Sequence, residues 1–438
     1  MEQEEKTHKT YEAEQFWLPL DNAAKIYPAS LSDEITTVFR LTAVFKDPVK
    51  ISPLMRAVTR LEKRFPYYKV QLRQGFFWYY LEHLPLRFPI EIDNKRPCRK
   101  FSKNGLLTRI LVMKNRISVE FSHILTDGSG AFQFLKTLLI TYSEECGASI
   151  PKVYQFYRPE DEITEEEYED AYNRYFKQNI PPAVPSSKAF HLPWPLASKP
   201  RFSILNAILS LDQIKARAKA KRVSITDYLV SVYMFVLQEI HEGLPHFSRF
   251  RKQKIIRMEV PVDLRNIFPS QTMRNFTQFV MPEIDLRLGH YTFDEILRRV
   301  YHQMRLENDE KLINKNISRN VGSERKIYVK SIPLIIKSLI LKAMYYALGA
   351  NQYSGVTTNL GKVQLPEETE AMLNHFIFTP PPPNPLLKVN CGIIGFGDKL
   401  VLSFGNVTKT RALEERIFRF LTNEGIEINV ENQYPDQS

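Results

Sequence analysis

The 438-residue chain has only three cysteines, Cys98, Cys146 and Cys391. They lie far apart and form no C-x-x-C pair, so neither a disulfide framework nor a thiolate metal site is expected. A reducing compartment, the cytosol, follows as the simplest expectation. The N-terminus, Met1-Glu2-Gln3-Glu4-Glu5-Lys6, is polar and acidic and lacks a signal-peptide core. A membrane helix wants about 20 uninterrupted apolar residues. The most apolar stretch, Ser331 to Gly349, is interrupted by Lys337 and Lys342. It reads as a buried or groove-lining helix, with contact at a membrane interface as the second reading. Zinc-finger spacing, RNA-binding signatures and a long basic tail are missing too. Nucleic acid is therefore not the expected partner, even at a net charge of +11. The one dense basic cluster, Arg249 to Lys254, reads first as a solvated loop and second as a means of steering a phosphorylated substrate.

Apolar residues make up 43% of the chain and charged residues 25%, a composition able to bury a large core. The length suits two large units or two to three ordinary ones. The 28 Phe and 21 Tyr fit thick sheets and deep grooves.

The first half reads as strands before helices, an α+β pattern. A strand is expected over Asp33 to Phe45 and a helix over Pro53 to Arg64. Short apolar runs follow at Tyr67 to Leu72, Phe76 to Leu81 and Leu106 to Met113. Glu160 to Phe176 is expected to form one exposed helix. The proline-rich stretch Asn179 to Arg201 forbids regular structure and reads as a crossover. The expected division is residues 1–178, a linker at 179–201, and residues 202–438. The second half opens with a strand, Phe202 to Leu209, then helices Leu211 to Lys221 and Thr226 to Ile240. Strands are expected at Ile255 to Val262 and Phe276 to Leu286, and one long helix over Thr292 to Asn314. Further strands fall near Gly355 to Thr358, Phe376 to Phe378, Val389 to Gly395 and Leu400 to Phe404, and a helix over Arg411 to Leu421.

The chemistry concentrates in Phe121-Ser122-His123-Ile124-Leu125-Thr126-Asp127-Gly128. A β-branched run, Arg116 to Phe121, leads in, and an apolar helical pattern, Phe132, Leu135, Leu138 and Leu139, leads out. His123 thus sits where a strand ends and an Asp-Gly turn starts a helix, a placement suited to a general base. His123 and Asp127 sharing a metal on one helical face is the rival reading. The turn character of Asp127-Gly128 and the missing Cys and His partners argue against it.

His123-x-x-x-Asp127-Gly128 resembles the active-site motif of the superfamily of chloramphenicol acetyltransferase, peptide-synthetase condensation domains, plant BAHD acyltransferases and alcohol acetyltransferases. Other stretches agree in order and spacing. Val260-Pro261-Val262-Asp263-Leu264-Arg265 with Pro269 and Arg274-Asn275-Phe276 is similar to the family's "PVDLR…P…NF". Thr357-Thr358-Asn359-Leu360-Gly361 through Pro366 is similar to its "SNLG…P", and Leu211 to Leu229 to its second-half helix pair. The likeness spans roughly residues 15 to 430 and is nearest to bacterial alcohol acetyltransferase-like proteins.

The resemblance implies two α+β lobes, each a sheet covered by helices, with a channel between them and the histidine at its middle. His123 is then the base, and Asp127 pairs with Arg265 to fix its loop. Gly128 permits a geometry or close approach that a Cβ forbids. The backbone N–H of Gly128 and the side chain of Asn359 or Thr358 are the oxyanion donors. No resident cofactor or metal is implied. The co-substrates are an acyl-CoA or an acyl-carrier-protein thioester and a small alcohol or amine. Ser122 stands where condensation domains carry a first histidine, and the plant enzymes' DFGWG is absent; Gly395-Phe396-Gly397-Asp398 reads as a hairpin turn. A non-catalytic, ligand- or partner-binding member of the fold is the alternative to an enzyme.

Overall fold

The computed structural model describes residues 16–93, 96–151, 154–178, 180–181, 186–326, 329 and 331–432. Met1 to Lys6, and Pro182 and Pro185 of the crossover, lie outside the described residues.

The first half contributes β1 (Trp17–Pro19), α1 (Tyr27–Ser30), β2 (Val38–Phe45), α2 (Ile51–Leu61), β3 (Val70–Gln74), β4 (Tyr79–His83), β5 (Ile90–Ile92), β6 (Thr108–Met113), β7 (Arg116–Ser122), α3 (Gly128–Glu145) and α4 (Ala171–Arg174). The second contributes β8 (Ser203–Ser210), α5 (Leu211–Ala220), α6 (Ile225–Glu242), β9 (Ile255–Asp263), β10 (Thr277–Val280), β11 (Glu283–Asp285), α7 (Phe293–Glu307), α8 (Glu310–Arg325), α9 (Leu334–Met344), β12 (Gly355–Lys362), α10 (Glu367–Glu370), β13 (Leu373–Thr379), β14 (Val389–Phe396), β15 (Lys399–Asn406), α11 (Ala412–Asn423) and β16 (Ile428–Asn432).

Two large sheets result. One runs β13-β2-β7-β6-β5; the other runs β10-β9-β12-β14-β15-β8-β16, with β11 added on β9. One strand crosses the expected division of the chain. β13 comes from the second half but pairs antiparallel with β2, Phe376 opposite Ala43 and Phe378 opposite Leu41. On its other side it lies so close to β14 that a Cβ on Gly392 would fall 2.2 Å from the Phe378 carbonyl oxygen, so only glycine fits there. Phe376, Ile377 and Phe378 are buried in the first half's core together with Ile394 and Val401. The crossover also has structure: Phe190 and Leu192 are buried in the second half's core.

Local chemistry explains the remaining departures from expectation. The helix expected over Thr292 to Asn314 is two. The Asp309 carboxylate caps a new start by accepting from the Lys311 and Leu312 N–H groups. The strand expected over Phe276 to Leu286 is split at Met281-Pro282, where proline has no N–H for the ladder. Glu160 to Phe176 is not one exposed helix. Glu167 is buried and accepts from Arg64 at 2.7 Å and 3.0 Å and from Tyr67 at 2.7 Å, and Asp170 re-caps α4. The apolar stretch after Ser331 forms α9, but it is not buried as a whole: Leu334 and Lys337 are buried, while one face carries Ile335, Ile336, Leu339 and Ile340 to the surface.

Candidate active site

β7 delivers His123. Its strand is pinned by a buried charge cluster in which Glu120 accepts from Arg40 at 2.7 Å and from Arg109 at 2.6 Å, while Arg40 also reaches Asp93 at 2.7 Å. Burial alone would raise the Glu120 pKa, but the two arginines outweigh it and hold it below the usual carboxylate range. Immediately after the strand, the His123 N–H donates to the Thr37 carbonyl at 2.8 Å, just ahead of β2. The imidazole lies between the Tyr27 ring, 5.1 Å away, and the Phe39 ring, 5.3 Å away.

The ring is oriented by Asn275. The Asn275 Nδ2 donates to Asp21 Oδ2 at 3.0 Å and to the His123 carbonyl at 3.1 Å. Its Oδ1 therefore turns to His123 Nδ1, at 2.9 Å. An amide oxygen only accepts, so Nδ1 carries the hydrogen and Nε2 keeps its lone pair. Asp21 is fully buried and also accepts the Ala24 N–H at 2.8 Å; its burial pushes its own pKa up against the pull of Arg274 and Asn275. Burial lowers the His123 pKa below the usual imidazole value, despite Asp127 and Asn275. The imidazole is thus neutral at pH 7, the form that can accept a proton. Neither Asn275 nor Asp21 was assigned a role from sequence. Asn275 lay inside the "NF" stretch, whereas nothing marked Asp21.

Asp127 faces away from the ring. It caps α3, its Oδ1 accepting the Gly130 N–H at 2.9 Å, while its Oδ2 accepts the Phe276 N–H at 2.7 Å and Arg265 Nη1 at 3.0 Å. Arg265 also binds Asp263 at 2.9 Å, the Thr272 carbonyl at 3.0 Å and the Arg274 carbonyl at 2.6 Å. One guanidinium therefore ties the turn after His123 to the loop that carries Asn275.

Two glycines here carry close approaches. Gly128 is not in the left-handed region; a Cβ there would press on the Leu360 side chain at 2.7 Å. The stricter demand is at Gly130, where a Cβ would fall 2.3 Å from Thr126 Oγ1 and 2.6 Å from the Met273 carbonyl.

Thr358 and Asn359 do not share a face. Alternation along β12 turns Gly355, Thr357 and Asn359 toward α6, where Asn359 Nδ2 donates to Thr226 Oγ1 at 2.9 Å. Asn359 Oδ1 meanwhile accepts the Gly361 N–H at 2.8 Å, closing a turn in which Gly361 has φ +79°. Both ends of its amide are thereby engaged, one with Thr226 and one with the turn. Thr358 lies on the opposite face, with Leu360, which touches Gly128. His375 is buried on β13, beside the Asn374 side chain.

Two clefts flank these elements. One of about 330 Å³ opens at the N-terminus of α3, lined by Gly128, Ser129, Tyr157, Arg265, Gln271 and Leu360. The other, of about 230 Å³, lies where the two halves meet and carries Arg96, Arg99, Lys100 and Arg201 alongside Asp33 and Glu34. Among the described residues no group of three His, Cys, Asp or Glu could hold a metal ion.

A second buried acid lies nearby. Glu259, on β9, has its Oε2 without a hydrogen-bond partner, and its charge acts on Tyr27, Tyr345 and Tyr353. Burial, against the Tyr353 hydrogen bond, raises its pKa from 4.5 to about 7. The native state thus binds this proton more tightly than the unfolded chain. The stabilisation is full below the unfolded pKa and is lost as pH rises through about 7. Glu259→Gln mimics the neutral acid. Relative to wild type it is expected to gain about 3 kcal/mol in unfolding free energy between pH 4.5 and pH 8. Urea midpoints at the two pH values check this; a difference that does not grow with pH contradicts it.

Comparison with known proteins agrees on architecture. No family model matches the sequence, and no curated protein matches it. Solved structures do match nearly end to end. The starter condensation domain of rhizomide synthetase aligns with a TM-score of 0.55 and 11% identity, covering 94% of this chain and 96% of that one. The trichothecene 15-O-acetyltransferase TRI3 from Fusarium sporotrichioides aligns at 0.58 and 11%, covering 94% of each. TRI101 of F. sporotrichioides, solved with coenzyme A and T-2, aligns at 0.60 and 11%, covering 92% and 97%. The chain thus has the fold of condensation domains and chloramphenicol acetyltransferase-like acyltransferases.

Proposed function

We propose that this protein is an acyltransferase that moves an acyl group from a thioester, acyl-CoA or acyl carrier protein, to a small alcohol or amine, in the manner of alcohol acetyltransferases. The observation that carries the reading is the His123–Asn275 hydrogen bond, which leaves Nε2 as a free base. Nε2 takes the acceptor proton as the acceptor's oxygen or nitrogen attacks the thioester carbonyl. The tetrahedral oxyanion is met by the Gly128 N–H at the positive end of α3 and by the Thr358 hydroxyl. Collapse breaks the carbon–sulfur bond, and the departing thiolate takes the proton back from Nε2. The thioester is already activated, so no acyl-enzyme is needed. Asp127 and Arg265 act by holding the turn. Coenzyme A bound to the structural neighbour supports a coenzyme A donor.

The test is free-thiol release from a panel of acyl-CoAs with pooled alcohols and amines. Acceptor-dependent release is expected. No acceptor-dependent release from any donor, coenzyme A or carrier protein, would favour a binding protein of the same fold.

The basic cleft supports a donor bearing phosphates. Exposed Arg96 stands there beside Arg99, Lys100 and Arg201. Arg96→Glu is expected to raise KM for acyl-CoA about tenfold at low salt, with kcat little changed. Initial rates at low and high ionic strength check it; a KM unmoved at both removes the cleft from the donor path.

A further inference from the structure

One side of α9 is firmly held. The Leu334 N–H donates to the Phe76 carbonyl at 2.9 Å, and Lys337 Nζ donates to the Phe77 carbonyl at 3.1 Å while lying 3.4 Å from the Trp78 ring centre. The other side is largely open to solvent among the described residues. Ile335 is 75% exposed and Leu339 68%, with Ile336, Ile340 and Met344 beside them. At about 100° per residue, positions 335, 336, 339 and 340 form one continuous stripe. The β3–β4 tip extends it with Phe76, 72% exposed, and Phe77. A contiguous apolar patch of this kind on a folded surface marks a place of contact.

Charge selects the contact. Between Glu324 and Glu367 the sequence has no Asp or Glu, but it has Arg325, Lys326, Lys330, Lys337, Lys342 and Lys362. Lys342 is exposed on α9 itself. Two copies joined face to face here would bring like charges together. An anionic lipid surface instead offers acyl chains to the isoleucines and headgroups to exposed Lys342. We propose that the exposed face of α9 and the Phe76–Phe77 tip seat this protein on an anionic bilayer. Contact is shallow, about 5–10 Å deep, because among the described residues no single helix is long and apolar enough to cross. α9 packs against α1, whose Tyr27 ring lies 5.1 Å from the His123 ring. The docking stands whether or not His123 acts in catalysis.

The full chain is tested by co-sedimentation with vesicles of phosphatidylcholine containing phosphatidylserine, against pure phosphatidylcholine, at low and high salt. Light scattering and thermal melts accompany it. Wild type is expected to pellet with the anionic vesicles and to be released by salt. Ile335→Glu/Leu339→Glu and, on a separate element, Phe76→Ser are each expected to weaken pelleting about tenfold or more with unchanged melting. Wild type left in the supernatant, equal pelleting on neutral vesicles, or undiminished pelleting of both variants overturns the proposal. So does a wild-type dimer that the double variant dissociates, which assigns the face to a second copy.

Discussion

Replacing His123 by alanine is expected to lower kcat for acceptor-dependent thiol release by about a hundred- to ten-thousand-fold, the usual contribution of a positioned base. Donor KM should change little, because the imidazole acts on the acceptor's proton rather than on donor binding. The variant should stay folded. The backbone N–H of His123 still reaches the Thr37 carbonyl, and Asp127 still caps α3. The lost contacts are the Asn275 hydrogen bond and the faces of Tyr27 and Phe39. Steady-state kinetics beside a thermal melt separates the two effects. A kcat within a factor of a few of wild type removes His123 from the chemistry.

Arg265→Leu is expected to cost about 3–5 kcal/mol of stability, the typical penalty for leaving a buried carboxylate without its cation. Asp127 would retain the Gly130 and Phe276 N–H groups, but its charge would have no counter-ion. The double variant Arg265→Leu/Asp127→Asn should recover part of the loss, since the neutral amide needs no cation. Activity should fall as well. Arg265 holds the Arg274 carbonyl at 2.6 Å, one residue before the Asn275 that orients the ring. Urea midpoints for wild type and the two variants check the coupling. A single and a double variant of equal stability would mean that the pair stabilises nothing.

These two residues show what could be read in advance. The strand, turn and helix around His123 were legible because three local signals coincide there: a β-branched run, an Asp-Gly turn and an apolar helical repeat. The Asp127–Arg265 pair was reached only through a resemblance, since nothing local links residues 138 apart. Asn275 and Asp21 were missed for the same reason: an amide that fixes a tautomer acts through distance and angle. Thr358 and Asn359, neighbours in sequence, looked interchangeable until the pleat of β12 turned one toward α6. β13 was read as a strand, but which sheet it would join depended on β2, more than 300 residues earlier. For Ser331 to Gly349 apolar composition implied burial, whereas Leu334 and Lys337 anchor the helix and its isoleucines face outward.

The account rests on one neutral imidazole accepting a proton. The most direct test is kcat/KM for thiol release as a function of pH, in wild type and in His123→Ala. Burial lowers the His123 pKa, so the wild-type rate should fall only below the ordinary imidazole value of about 6.5, and the variant should lack that acid limb. An acid limb that sits above 6.5, or that persists unchanged without His123, would contradict it.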